Sequence, residues 1–163
     1  MRLLRTLRVD ATDERVFERA AASGEWAVPG GFAFVGETDE AGLTGKRRQA
    51  FRSGFLGLDS FGWSTFAVVV DADGDGLADK LAATLARHFV ESYGAPDLEA
   101  ALPAARDEIA FAASVADQPV GTVLRVEREL TGDGVREAFR AVERPRGDPM
   151  RHAAAWELLP DAG

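Results

Sequence analysis

Four aspartates crowd the middle of the chain: Asp71, Asp73, Asp75 and Asp79 surround Gly74 and Gly76 in DADGDGLAD. A hard cation such as calcium takes about six to eight oxygen ligands at short range. Alternate carboxylates on a tight loop can converge on one point, and Gly76 permits the sharp turn. The same residues fit a second reading, a solvated loop in which Asp73 or Asp75 caps the following helix and the negative charge favours its N-terminus. Counted from Asp71, the twelfth position is Ala82, so the bidentate glutamate of a helix–loop–helix calcium hand is missing. Calcium on these four carboxylates is the one cofactor the residues suggest.

The second constellation is basic. Thr44, Gly45, Lys46 and Arg47 stand at an expected helix start, joined by Arg48 and Arg52. Glu40 occupies the place of the first glycine of a phosphate loop and Arg47 the place of its hydroxyl, which excludes nucleotide hydrolysis of that type. Exposed N–H groups and clustered charge still suit a carboxylate or phosphate. Aromatic residues are dense from Trp26 through Phe32, Phe34, Phe51, Phe55 and Phe61 to Trp63 and Phe66. Most belong to a core, and any that line a cleft rimmed by arginines make a ligand site. Trp26 and Trp63 with Lys46, Arg47, Arg48 and Arg52 are therefore the candidate ligand or partner residues.

Nucleophilic chemistry has little to build on. LDSFG lacks the leading glycine of a nucleophile elbow, and His88 and His152 are the only imidazoles. Asp107–Glu108 and the pair Glu127 and Glu129 are carboxylates by count alone, with Glu108 placed to be partly buried beside an apolar stretch. They leave open an enzyme with an unassigned carboxylate-based site.

These groups sit on a chain of 163 residues with net charge −8, 46% apolar and 28% charged residues, and no cysteine. That is the composition of one globular domain. The acidity makes nucleic acid a poor partner, because phosphate binding needs clustered Lys and Arg. The longest apolar run, Phe66–Val70, is too short to span a bilayer. The lack of cysteine fits a reducing compartment, so a cytoplasmic location is expected.

The elements that must position the groups follow from periodicity. MRLLRTLRVD alternates as a half-buried strand, with Leu3, Leu7 and Val9 inward and Thr6 outward. Trp26, Val28, Phe32 and Phe34 share a period of two, with Pro29-Gly30-Gly31 in the middle calling for a turn or bulge there, or an edge strand. Leu43–Leu58 reads as a helix capped by Thr44, and GWSTFAVVVDA as a strand covered on both faces. Leu77, Leu81, Leu85, Phe89 and Tyr93 make a helix ending at Gly94, and Pro103 opens the second part of another. GTVLRVEREL points Leu124, Val126 and Leu130 inward. VREAFRAVER after the TGDG turn fits a helix by Val135, Ala138, Phe139 and Val142 and also the return arm of a hairpin, which the turn directly after a strand favours. The expected fold is α+β: a mostly antiparallel sheet with two or three helices packed on one face, in a single domain. Residues 148–163 are expected to be a loosely attached C-terminal segment.

The stretch Asp71–Asp79 is similar to the calcium loops of integrin-type propellers and thrombospondin repeats, in one copy. Up to about Val142, GEWAVPGGFAF, LTGKRRQAFRSGFLGLDSFGWSTF and ALPAARDEIAFAASVAD resemble an uncharacterised family of small bacterial proteins, mainly alphaproteobacterial. The resemblance carries over no activity, cofactor or functional residue. Its gene neighbourhoods, of formate dehydrogenase and of a lipoate/biotin ligase-like protein, imply an accessory role. The expected function is thus a non-enzymatic accessory or binding protein that recognises a partner protein, a second copy of itself, or a small anionic ligand. A weak calcium-binding module is the alternative.

Overall fold

The computed structural model describes residues 1–142. The segment 148–163 expected to be loosely attached, with His152, lies outside the described residues. The chain runs β1 (Arg2–Leu7), α1 (Thr12–Val16), β2 (Trp26–Val28), 3-10 turns at Gly31–Phe34 and Glu40–Gly42, α2 (Gly45–Ser53), β3 (Phe55–Gly57), β4 (Trp63–Ser64) and β5 (Phe66–Asp71). It continues with α3 (Leu77–Ser92), α4 (Leu98–Val115), β6 (Val123–Thr131) and β7 (Gly134–Ala141). All strand pairs are antiparallel, in one seven-stranded sheet of order β4-β3-β2-β1-β5-β6-β7. The domain is α+β, with four α-helices among the described residues. None of those helices is long and apolar enough to cross a membrane.

The sheet curls, and the sequence shows why. GWSTFAVVVDA is two strands, not one: β4 pairs with β3, β5 pairs with β1 and β6, and only Thr65 lies between them. Strands four places apart in order are thus joined by one residue, so the first five must wrap round. Thr65 is held at the break, its hydroxyl donating to Asp13 at 2.7 Å and its N–H to the same carboxylate at 3.3 Å. β1 is consequently a central strand rather than a half-buried one. Leu3 and Leu4 point to opposite faces, and both are buried. Thr6, expected outward, is buried too; its hydroxyl donates to the Ala22 carbonyl and accepts the Glu25 N–H.

Leu3, Val28, Leu56 and Leu58 pack with Leu81, Leu85 and Phe89 of α3 and with Ala101, Ala105, Ile109 and Ala112 of α4. Leu4, Ala27, Phe55, Ala67, Val69, Leu124 and Val126 form a second cluster with Ala116. Phe17, Phe34, Leu43, Ala50 and Phe51 form a third. The small residues of α4 let the two long helices approach closely. Pro103 does not start a helix; it sits inside α4, whose N-cap Asp97 accepts the Ala100 N–H at 2.8 Å.

Two expectations are corrected by turns. The period-two run breaks at Pro29 and Gly30, the latter at φ 86, after which Gly31–Phe34 forms a 3-10 turn. Residues two apart there point in different directions, so Phe32 packs on Phe89 and Phe34 on Phe51. The helix expected over Leu43–Leu58 stops at Ser53, because Phe55–Gly57 is strand. Gly54 marks the change: a Cβ there would lie 2.7 Å from the Trp63 ring and 2.8 Å from the Ala50 carbonyl. Thr44 precedes α2 in an extended conformation without a side-chain cap bond. The β6–β7 hairpin is as expected, with Thr131 opposite Gly134.

The inward row of β6 contains one residue the alternation did not single out. Arg128 stands between Val126 and Leu130, and its side chain is 0% exposed. Its Nε donates to Glu137 across the hairpin at 2.7 Å. Its Nη1 lies within hydrogen-bond distance of the Ala50, Phe51 and Gly54 carbonyls at the end of α2, and its Nη2 donates to the Pro29 carbonyl. A guanidinium has five N–H donors in a fixed fork, and this one spends them on three separate segments. Arg128→Met leaves these acceptors without their donor and should cost about 3–5 kcal/mol in urea denaturation. Adding Glu137→Gln should recover part of that loss; no recovery would show that the two side chains are not coupled.

Glu108 of α4 lies near the same pair. Burial, aided by Glu137 and Asp107 and opposed by Arg128, pushes its carboxyl from the ordinary 4.5 up to about 7. The folded protein then holds a proton that the unfolded chain has released, so this contribution to stability falls as pH rises from 4.5 through 7. Glu108→Gln should therefore raise the melting temperature at about pH 8, with the gain shrinking as the pH is lowered. A gain independent of pH would contradict this.

Candidate functional site

A shelf of aromatic rings runs along the outside of α3. The 3-10 turn after β2 lays Phe32 over the helix, edge-on to Phe89 at 4.9 Å and to Tyr93 at 5.4 Å. His88 contacts Tyr93 at 5.3 Å and stacks flat on Phe61, 3.8 Å away with 4° between the planes. Phe61 lies between β3 and β4 at φ 54, a left-handed conformation that bulky residues rarely adopt. Its surroundings hold it there. A Cβ on Gly62 would meet the Ala20 backbone at 2.6 Å, the Trp63 N–H donates to the Arg19 carbonyl, and Arg19 Nη1 donates to the Ser60 carbonyl. Strain of this kind persists only where the neighbourhood over-determines it.

The shelf presents apolar surface to solvent: Tyr93 is 45% and Val35 is 75% exposed. Phe32, Phe61 and His88 are half-buried. Burial lowers the His88 pKa below its ordinary 6.5, aided by Arg19 and opposed by Glu91, so the ring stacked on Phe61 is neutral at pH 7. Burial raises the Tyr93 hydroxyl, opposed by Arg47. Arg19 and Arg47 thus flank the rings, with the Arg47 guanidinium 5.0 Å above the Phe34 ring.

The candidate residues scatter around this surface. Lys46, Arg47, Arg48 and Arg52 lie on α2. Arg47 pairs with Glu37 at 2.9 Å and Arg52 with Glu40 at 3.0 Å, so acids of the preceding loop answer two of the four charges. The Arg52 guanidinium holds the Glu40 carboxyl below its ordinary range. Arg48 is half-buried and Lys46 exposed. Trp63 faces inward between Gly30 and Gly54, against Phe34 at 5.5 Å. Trp26 lies under Arg5, whose guanidinium is 3.7 Å from the ring centroid. Arg47 is the member of the set that borders the shelf.

Asp71, Asp73, Asp75 and Asp79 are all exposed, and among the described residues no three acidic or histidine side chains gather as metal ligands do. Neither Asp73 nor Asp75 caps α3: Gly76, at φ 80, holds that position without a side-chain bond. Glu127 pairs with Arg125 and Arg140, and Glu129 with Arg136, on the outer face of the hairpin.

Two buried acids escaped the sequence reading. Burial would raise the Glu25 carboxyl, but the Ser60 N–H and hydroxyl and the Asp59 and Ala22 N–H groups outweigh it and hold its pKa low. Asp13 is raised by burial despite the two bonds from Thr65. Each saturates backbone that the curled sheet turns inward. The shelf itself left a partial trace, the dense aromatics of residues 26–66 and the spacing of Phe89 and Tyr93. The flat stack on His88 required the turn at Phe61, which no local pattern announces.

Comparison with known proteins places the chain without assigning it a task. No curated protein and no solved structure matches it. One family model matches residues 1–156, beyond the Val142 limit expected from the sequence. The chain belongs to that family, the family of unknown function DUF6505.

Proposed function

We propose that this protein is a binding module that docks a partner protein on the aromatic shelf, without chemistry of its own. The observation that carries this reading is the partly exposed chain of ring contacts Phe32, Tyr93, His88 and Phe61, near Arg19 and Arg47. Aromatic residues and arginine are the types enriched where binding energy concentrates at interfaces. Rings fixed by one another lose little freedom on association. The buried charges support the same reading, because Arg128, Glu25 and Asp13 spend their bonds on the fold's own groups. On a chain of net charge −8, Arg19 beside an apolar surface, with Arg47 bound to Glu37 at its other side, favours a partner segment with an apolar anchor and acidic flanks.

A photo-crosslinking residue placed at Tyr93 in cells tests the reading, with the similarly exposed Val120 as control. The expected result is a discrete adduct from position 93 alone that disappears in the Arg19→Glu/Arg47→Glu variant. Equal adducts from both positions, or an adduct indifferent to the charge reversal, would remove the proposal.

A further inference from the structure

A second cleft opens where β1, β2 and α3 meet, and it is built around a cation. Arg5 and Trp26 are cross-strand partners, so their side chains share a face. The guanidinium lies 3.7 Å from the Trp26 ring centroid, and Nη1 donates to the Gly24 carbonyl at 2.6 Å. Arg5 is therefore held in place by one stack and one hydrogen bond. No carboxylate forms an ion pair with it among the described residues, and its remaining N–H groups have no protein acceptor there.

Those donors border a cavity of about 270 Å³ lined by Arg5, Glu25, Trp26, Leu58, Asp59 and Leu81. Trp26, Leu58 and Leu81 supply apolar walls. Glu25 turns its carboxylate to the Ala22, Asp59 and Ser60 amides, so its hydrogen bonds are taken up within the fold. Asp59 is exposed, and its own carboxylate forms no ion pair among the described residues. The cleft thus carries two charged groups with hydrogen-bonding capacity to spare, the Arg5 guanidinium and the Asp59 carboxylate, which form no ion pair with each other, with apolar surface alongside.

Charge balance narrows the ligand. A simple anion would meet Asp59, and a simple amine would meet Arg5. A molecule with both charges on one carbon satisfies both. The volume falls below the range of drug-sized sites, which suits a single small molecule rather than a nucleotide or an extended peptide.

We propose that this cleft binds a zwitterionic amino acid with an apolar side chain, its carboxylate on Arg5, its ammonium on Asp59 and its side chain against Trp26, Leu58 and Leu81. A guanidinium stacked on an aromatic ring keeps its fork in plane for a carboxylate, which is the pairing arginine makes best. The proposal uses none of the shelf residues and stands or falls separately from partner docking.

Isothermal titration of the full chain with L-leucine tests it, beside leucinamide, which lacks the carboxylate, and 4-methylpentanoate, which lacks the ammonium. Leucine should bind saturably, and each analogue about tenfold or more weakly, the loss of one charge-assisted contact. Arg5→Gln and Asp59→Asn should each weaken leucine to a similar degree. Asp59 is exposed, so its variant keeps the test valid if loss of Arg5 disturbs the β1–β2 pairing. Absence of saturable leucine binding at millimolar concentration overturns the proposal. So does an analogue that binds as well as leucine, or an Asp59→Asn variant that binds it unchanged.

Discussion

The Arg128 guanidinium bonds at once to the end of α2, the turn after β2 and the far strand of the β6–β7 hairpin. Burying a charge is costly, and a buried arginine is tolerated only when its donors are answered. Here the answers are largely main-chain carbonyls: those of Phe51 and Gly54 at the end of α2, that of Ala50, which also accepts the Gly54 N–H, and that of Pro29, where the strand has ended. The position of α2 against the sheet, and the entry into the 3-10 turn that presents Phe32, both follow from satisfying this one fork. The shelf owes its shape to an interaction on the opposite side of the turn.

The fold class and its longest elements could be read from the sequence, because they rest on period. α3 carries its apolar residues at helical spacing and lies where that spacing puts it, and the β6–β7 hairpin follows from a Gly-Asp turn placed directly after an alternating strand, although the residues after the turn also fit helical spacing. The errors came where two elements share one apolar run. Phe51 and Phe55 are four apart and both buried, yet one belongs to a helix and the other to a strand. Phe32 and Phe34 keep the parity of a strand after the strand has ended. Burial constrains a residue's polarity and leaves its backbone free, so a change of element inside the core has no hydrophobic signature. Glycines gave the missing punctuation at positions 30 and 54.

The candidate surfaces were less legible, for a related reason. Charge counted along the chain does not reveal which charges are already paired. Lys46 through Arg52 look like a basic patch until Glu37 and Glu40 are brought against them. Arg5 looks like the polar side of an alternating strand until Trp26 is found beneath it. Both distinctions depend on contacts made after the sheet has curled.

That curl also fixes an order of events. Arg128 reaches Pro29 and Gly54, which precede it by 99 and 74 residues, and β5 gains its second neighbour only when β6 arrives. During synthesis β1 through β5 leave the ribosome first, followed by two helices. Over that interval the edge formed by the apolar run Phe66–Val70 has no partner on one side. Contacts this distant in sequence slow folding. The nascent chain therefore carries an open, sticky edge through about fifty residues of elongation, and the edge closes only when β6 pairs with it.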